Sequence, residues 1–223
     1  MMAADERARA PARYGLLLVV LIAAYLVAAV TQARWSGPIH VAFVAAIGLL
    51  AVWRTRPWPR PAWLAAGAVL AITVAAGVGA TSGSKPAEGA ADLWNGLMLL
   101  GTVVIIIGRV LRLERVTAQS IYGALSAYLL IGLMFAAWFG AIDLLATGPF
   151  FAGGQPANAE TLQYFSFTTL TTLGYGDFTA AGSLGRALAV LEAIAGQVFL
   201  ATLVARLVSA YGTSRRQRPP GEE

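Results

Sequence analysis

Long apolar runs separated by short clusters of arginine are the main pattern of the chain. A helix rises about 1.5 Å per residue and a bilayer core is about 30 Å thick, so one crossing needs about 20 mostly apolar residues. Six runs reach or approach this length: Tyr14–Ala33, Pro38–Trp53, Pro61–Ala80, Ala91–Gly108, Gln119–Ala146 and Ser183–Tyr211. The pattern predicts an all-α integral membrane protein with six transmembrane helices.

The segment between the fifth and sixth runs has a different pattern. It starts with a loop rich in Gly, Pro and Asn and continues into Thr161–Thr172, which is rich in threonine and aromatic residues and too short to cross a bilayer. The turn that follows is Gly174-Tyr175-Gly176-Asp177. A short helix that ends in a glycine-rich turn between two spans predicts a re-entrant loop, which is tolerated at membrane depth where its backbone lines water or protein.

The positions of the basic residues predict the topology. The chain carries 16 Lys and Arg against 11 Asp and Glu. If the N terminus is cytoplasmic, only Arg34, Lys85 and Arg186 lie outside, and the other thirteen basic residues lie inside. Since basic residues are retained on the cytoplasmic side, we expect a multi-pass protein of the cell membrane with both termini cytoplasmic. A cleaved signal peptide over residues 1–33 is the alternative, but its apolar run is longer than such peptides carry.

Composition excludes several classes of function. The chain is 58% hydrophobic and 12% charged, well below the roughly 25% charged residues of soluble domains. It has no cysteine, which excludes disulfides and thiolate metal sites. The basic residues lie at the ends of apolar runs and form no patch, so we expect no nucleic-acid binding. We expect passive transport rather than enzymatic activity.

The glycines of the turn suit a chain that coordinates ions with its backbone. In an extended chain successive carbonyls alternate in direction, and left-handed residues are needed to turn them the same way. Gly174 and Gly176 alternate with Leu173 and Tyr175. The carbonyls of Thr172 to Tyr175 and the Thr172 hydroxyl can then face one axis, while the side chains of Leu173 and Tyr175 point away and brace the strand.

The run YFSFTTLTTLGYGD, from Tyr164 to Asp177, resembles the pore helix and filter of the tetrameric potassium channels. Their usual signature is TxxTxGYGD with valine before the first glycine, from which Leu173 departs. The resemblance covers about residues 117–212 and implies a potassium-selective channel subunit that carries K⁺ and forms a homotetramer. The implied ion-coordinating residues are Thr172, Leu173, Gly174, Tyr175 and Gly176.

Other positions of the same run are implied to support the filter: Tyr164, Phe165, Thr168, Thr169 and Asp177. Tyr164 and Phe165 stand where the family carries an aromatic cuff, although ordinary interfacial aromatics are the alternative. Thr168 stands where some members have a carboxylate that pairs with the aspartate after the filter, so Asp177 lacks that partner here.

The last apolar run resembles the pore-lining inner helix of the same family, with Gly196 where many members carry a glycine hinge. A bending role and a close-packing role are both open. Glu192 lies one turn earlier on the same face. It can face the pore, bind the hydroxyls of Ser166, Thr168 or Thr169 behind the filter, or pair with an Arg or Gln at a subunit contact.

The sequence divides into a cytoplasmic tail at 1–13, a four-helix region at 14–116 without a clear voltage sensor, a pore domain at 117–212 and a cytoplasmic tail at 213–223. No regulatory domain is expected within the chain after residue 212. A weakly selective cation channel would share this architecture.

Arg109, Arg112 and Arg115 recur at every third residue, as in the sensor helix of a voltage-gated potassium channel. They come at the end of the fourth run and next to Glu114, however, so we expect them at the cytoplasmic interface, in contact with anionic lipid head groups. A voltage-gated potassium channel that uses these three arginines is the alternative.

Overall fold

The computed structural model describes residues 14–30, 71–73, 75–79, 83–111 and 116–216. Its longer helices are α1 (Tyr14–Val30), α2 (Lys85–Leu111), α3 (Ala118–Leu145), α4 (Ala159–Leu170) and α5 (Ser183–Arg216). Residues 71–73 and 75–79 are also helical. Across these ranges the fold is all-α, and its one β feature is an isolated antiparallel bridge between Phe151 and Ala180.

Three of these helices are long and apolar enough to cross a membrane: α2, α3 and residues 183–209 of α5. They coincide with the fourth, fifth and sixth predicted runs, and α1 coincides with the first. The second run, most of the third run, the N-terminal tail and residues 217–223 lie outside the described residues. The expectation of six spans therefore stays a prediction.

Side-chain caps set where α3 and α4 begin. Thr117 and Ser120 form a reciprocal capping box, with the Thr117 amide donating to Ser120 Oγ at 2.8 Å. Asn158 and Thr161 form the same arrangement at the start of α4, where the Thr161 amide donates to Asn158 Oδ1 at 2.9 Å. Because Asn158 supplies this cap, the short helix begins two residues earlier than the predicted Thr161 and ends at Leu170.

Helix α3 lies at the centre of the fold and packs against α1, α2, α4 and α5. An aromatic cluster attaches α4 to α3 and to the connection between them. The ring of Phe165 packs edge-on against Phe139 of α3, at 5.1 Å, and Phe151 of the connection, at 5.6 Å. Phe150 contacts the same ring at 5.7 Å. Edge-to-face pairs of this kind add to the stabilisation from burial. The short helix is therefore held firmly at a fixed position against α3.

The two connections around α4 also contact each other. The Ala152 amide donates to the Thr179 carbonyl at 2.9 Å, and the Ala181 amide donates to the Phe150 carbonyl at 2.8 Å. Asp143, at the end of α3, accepts a hydrogen bond from the Phe150 amide at 3.1 Å. The two backbone bonds join the segment before α4 to the segment after the glycine-rich turn, and the Asp143 bond attaches the first of these segments to α3.

Candidate ion-conducting site

The turn after α4 has an alternating backbone. Thr172, Gly174 and Gly176 have φ of 58°, 54° and 82°, whereas Leu173 and Tyr175 have negative φ. Alternation between left-handed and ordinary dihedrals turns successive carbonyls toward one side of a strand. The sequence predicted left-handed conformations at the glycines alone, and Thr172 adds a third at a residue that adopts it only with strain.

The end of α4 holds this turn through backbone carbonyls. The Thr168 carbonyl accepts from the amides of Leu173, at 2.8 Å, and Gly174, at 3.1 Å. The Thr169 carbonyl accepts from the Thr172 amide at 2.9 Å. The hydroxyl of Thr168 donates to the Phe165 carbonyl at 3.0 Å and so stays within α4. Thr168 and Thr169 thus contact the turn with their main chain.

The far end of the turn has two side-chain partners. Gln155 Nε2 donates to the Asp177 carbonyl at 3.0 Å, and the Tyr164 hydroxyl is hydrogen-bonded to the Asp177 carboxylate. That bond, with the nearby negative charge, raises the pKa of Tyr164 above its ordinary value. The neutral phenol is therefore the donor in this bond, and the bond is lost only as the pH rises through the raised pKa.

The two aromatic residues at the centre of α4 have different surroundings. Phe165 is buried in the aromatic cluster with Phe139, Phe150 and Phe151, within its own chain. Tyr164 is half-buried, contacts Phe178 at 5.6 Å and reaches Asp177. Of the pair, Tyr164 alone touches Asp177, the last residue of the glycine-rich turn.

The turn lies on the surface of the single chain. Leu173 is 54% exposed and Tyr175 is 68% exposed, which are high values for an apolar and an aromatic side chain. All six residues from Thr172 to Asp177 are exposed. Their backbone is well fixed from behind by α4, while their side chains are open to whatever covers this face.

Glu192 lies behind the short helix and not on the exposed face of α5. It is fully buried, and its carboxylate oxygen Oε1 is hydrogen-bonded to the Ser166 hydroxyl. Ser166 Oγ also lies 2.7 Å from the Gly132 carbonyl oxygen. Of the three hydroxyls considered as partners from the sequence, Ser166 is therefore the one in contact, and it joins α3, α4 and α5.

Gly196 lies one turn further along α5, where the helix meets the end of α4. A Cβ at this position would overlap the Leu170 carbonyl oxygen and lie 3.0 Å from Leu170 Cδ1. Tyr128 Oη donates to the same carbonyl at 3.3 Å. Of the two roles that the sequence left open, close packing is the one that the geometry supports directly.

The contacts of Glu192 with Ser166 and of Gly196 with Leu170 advance by four residues on both helices. Helices α4 and α5 therefore run in the same direction where they touch, with one face of each in register. Gly196, the later of the two α5 residues, therefore lies beside Leu170 at the end of α4, just before the glycine-rich turn.

Sequence reasoning missed one residue at this site and one polar residue between α2 and α3. Gln197 Nε2 donates to Thr172 Oγ1 at 3.0 Å, and the available signal was a polar residue next to Gly196 inside an apolar run. Asp92, inside α2, packs close to Gly140 of α3, where a Cβ would lie 2.8 Å from Asp92 Oδ2. Its signal was a carboxylate inside a predicted span, which is the default mark of a functional position.

Comparison with known proteins places the site in a family. Residues 128–212 match a family model described as an ion channel, a stretch that begins within α3 and contains α4, the glycine-rich turn and the whole apolar part of α5. No curated protein and no solved structure matches the chain. The matched stretch contains every contact described above between the turn, α4 and α5. Residues 128–212 therefore belong to an ion channel pore-domain family, and the chain is a membrane protein.

Proposed function

We propose that the chain is the subunit of a potassium-selective channel that conducts K⁺ passively through a filter formed by Thr172 to Gly176. The observation that carries this proposal is the alternation of left-handed conformations at Thr172, Gly174 and Gly176. It supplies the backbone that successive rings of carbonyl oxygens need. The ion channel family match of the surrounding segment supports it.

In potassium channels such carbonyl rings are known to replace the hydration shell of the ion. Here the carbonyls of Thr172 to Tyr175 and the oxygen of the Thr172 hydroxyl would supply these rings. The C-terminal end of α4 lies beside Thr172, and the C-terminal end of a helix carries a partial negative charge that favours cations. Both effects act on a monovalent cation at the same end of the filter.

A single chain supplies one filter strand, and a closed pore requires several strands around an axis. We propose a homotetramer, because four identical strands close a ring by cyclic symmetry. The exposure of Leu173 and Tyr175 on the single chain supports this assembly, since a neighbouring subunit would cover them and complete their bracing role. The resulting pore domain spans residues 117–212.

The remaining proposals concern orientation and lipid. Both termini are proposed to be cytoplasmic, and the first helices to surround the pore domain without strong voltage sensing. Arg109 lies exposed in the last turn of α2, a position suited to anionic lipid head groups. Arg112 and Arg115 lie outside the described residues. Voltage gating by these arginines stays the alternative.

Reversal potentials test this function. The purified full chain in a planar bilayer, with unequal K⁺ concentrations on the two sides and Na⁺ added to balance the lower one, should reverse near the K⁺ equilibrium potential. Gly176→Ala should abolish this selectivity, because alanine adopts a left-handed conformation at a cost of about 1–2 kcal/mol. The matched control is Gly154→Ala, which places the same strain in the loop before α4, at φ 70° and with open space around a Cβ.

Two outcomes would change the conclusion. A wild-type protein that conducts K⁺ and Na⁺ about equally is a weakly selective cation channel, and the filter assignment fails while the pore domain stands. Equal loss of selectivity in Gly154→Ala and Gly176→Ala would show that general backbone strain, and not the filter position, produced the effect.

A further inference from the structure

Gln197 connects α5 to the innermost residue of the proposed filter. Its Nε2 donates to Thr172 Oγ1 at 3.0 Å across 25 residues of sequence. The approach is possible because the preceding residue, Gly196, has no side chain to separate α5 from the end of α4. The side chain of Gln197 is exposed on the single chain, on the side of α5 that faces Thr172.

The Thr172 hydroxyl takes part in two hydrogen bonds, one as donor and one as acceptor. The hydroxyl donates its one hydrogen to the Thr171 carbonyl at 2.6 Å and accepts from Gln197. A hydroxyl has two acceptor lone pairs, so one remains. Thr172 can therefore present only an oxygen acceptor to an ion, and it cannot turn its hydrogen toward the pore without breaking a bond.

The backbone of Thr172 gives an independent reason for a restraint at this point. A β-branched residue at φ 58° is strained. Such a conformation persists where surrounding contacts over-determine it. The Thr169 carbonyl holds the amide of Thr172, and Gln197 holds its hydroxyl, so main chain and side chain are each fixed by a separate partner.

From these contacts we propose that Gln197 is a positioning residue that sets the affinity and cation preference of the innermost filter ring, by fixing the orientation of the Thr172 hydroxyl. The ligand class is a dehydrated cation with the radius of K⁺, monovalent or divalent. The inference rests on the proposed channel function and deepens it. It makes α5 part of the selectivity apparatus as well as part of the pore wall.

Barium is the probe, because Ba²⁺ has nearly the radius of K⁺ and twice its charge, which makes its residence in a ring of oxygens measurable as block. The variant is Gln197→Met, whose side chain has similar length and no donor. The full chain is recorded in a planar bilayer in symmetrical K⁺, with Ba²⁺ added to each side in turn. The matched control is Gln155→Met, which removes a glutamine hydrogen bond at the opposite end of the filter, to the Asp177 carbonyl.

The expected result is asymmetric. Loss of one hydrogen bond to a coordinating oxygen should change the Ba²⁺ affinity from the α5 C-terminal side roughly tenfold in Gln197→Met. The Rb⁺/K⁺ permeability ratio should shift with it. Gln155→Met should leave block from the α5 C-terminal side unchanged. Gln197→Asn, which keeps the amide but is one methylene too short, should behave like Gln197→Met.

The inference is overturned if Gln197→Met and Gln197→Asn both conduct with wild-type Ba²⁺ block and wild-type permeability ratios. It is also overturned if Gln155→Met alters block from the α5 C-terminal side as strongly, since the effect would then be a general loosening of the filter. Failure of the channel function itself appears separately, as absence of K⁺ selectivity in the wild-type protein before any substitution is made.

Discussion

Ser166 has more hydrogen-bond partners than hydrogens. Its hydroxyl carries one hydrogen, while the Gly132 carbonyl and the Glu192 carboxyl group both lie within hydrogen-bond distance. Both contacts become hydrogen bonds if the carboxyl group donates to Ser166 and Ser166 donates to Gly132. A glutamine at position 192 can supply the same donor, and a leucine cannot. These two substitutions therefore test whether Glu192 acts as a hydrogen-bond donor to Ser166.

We expect Glu192→Gln to keep the connection between α5 and α4, and Glu192→Leu to break it. A buried polar group that loses its hydrogen-bond partner costs about 1–3 kcal/mol of stability, and Glu192→Leu leaves the Ser166 hydroxyl without its partner on α5. Glu192→Leu should therefore lower the thermal unfolding temperature in detergent, and Glu192→Gln should stay near wild type. Glu160→Gln is the control, because Glu160 is an exposed carboxylate in the first turn of α4. Wild-type stability of Glu192→Leu would contradict a structural role for the carboxyl group.

At the scale of helices, Gly196 and Leu170 set how closely α5 approaches α4. A hinge role and a packing role predict different results for Gly196→Ala. Alanine stabilises an unstrained helix by about 1 kcal/mol relative to glycine, so a pure hinge variant would be stable with altered opening. If Gly196 is needed for close packing, Gly196→Ala should instead destabilise the protein, because its methyl group overlaps the Leu170 carbonyl.

We expect Gly196→Ala to lose stability and yield, as measured by thermal unfolding and size-exclusion chromatography of the detergent-solubilised protein. Gly101→Ala in α2 is the matched control, since a Cβ there meets nothing within 4 Å, and it should be neutral or stabilising. If both variants are stable and only Gly196→Ala changes open probability, the hinge role is correct.

The helices themselves were largely predictable from the sequence, and their contacts were not. The apolar runs gave α3 and the start of α5 to within a residue, because burial in lipid demands continuous apolar sequence. The start of α4 moved because the cap at Asn158 is a local feature inside a loop. The partners of Glu192 and Gln197 depend on how α5 is rotated against α4, a quantity that an apolar helix with no clear polar face does not encode.

The left-handed conformation of Thr172 was unpredictable for a related reason. Glycine signals left-handed positions in a sequence, whereas a strained threonine is specified by its tertiary partners. Gln197 and the end of α4 supply those partners, and they come from distant parts of the chain. The left-handed conformations of Gly174 and Gly176 were therefore predictable from the residues themselves, and the contacts that hold Thr172 were not.

At the scale of the whole molecule, the proposed filter strand is exposed on the single chain, so the number of subunits decides whether it can form a pore. Each conducting pore would contain one copy of Gly176 from every chain, so a single Gly176→Ala subunit should disrupt the ring of carbonyls to which it contributes. Mixed assemblies then count the subunits through the fraction of K⁺-selective current that survives.

We expect co-expression of wild-type and Gly176→Ala chains in equal amounts to leave about one sixteenth of the K⁺-selective current of the wild type, because a random tetramer contains four wild-type chains with that probability. A dimer would leave about one quarter, and independent monomers about one half. Co-expression with Gly154→Ala, the strained loop variant, should leave the current near its wild-type level at every mixing ratio. A surviving fraction that falls linearly with the amount of Gly176→Ala would rule out a shared pore, and with it the need for a neighbouring subunit to cover Leu173 and Tyr175.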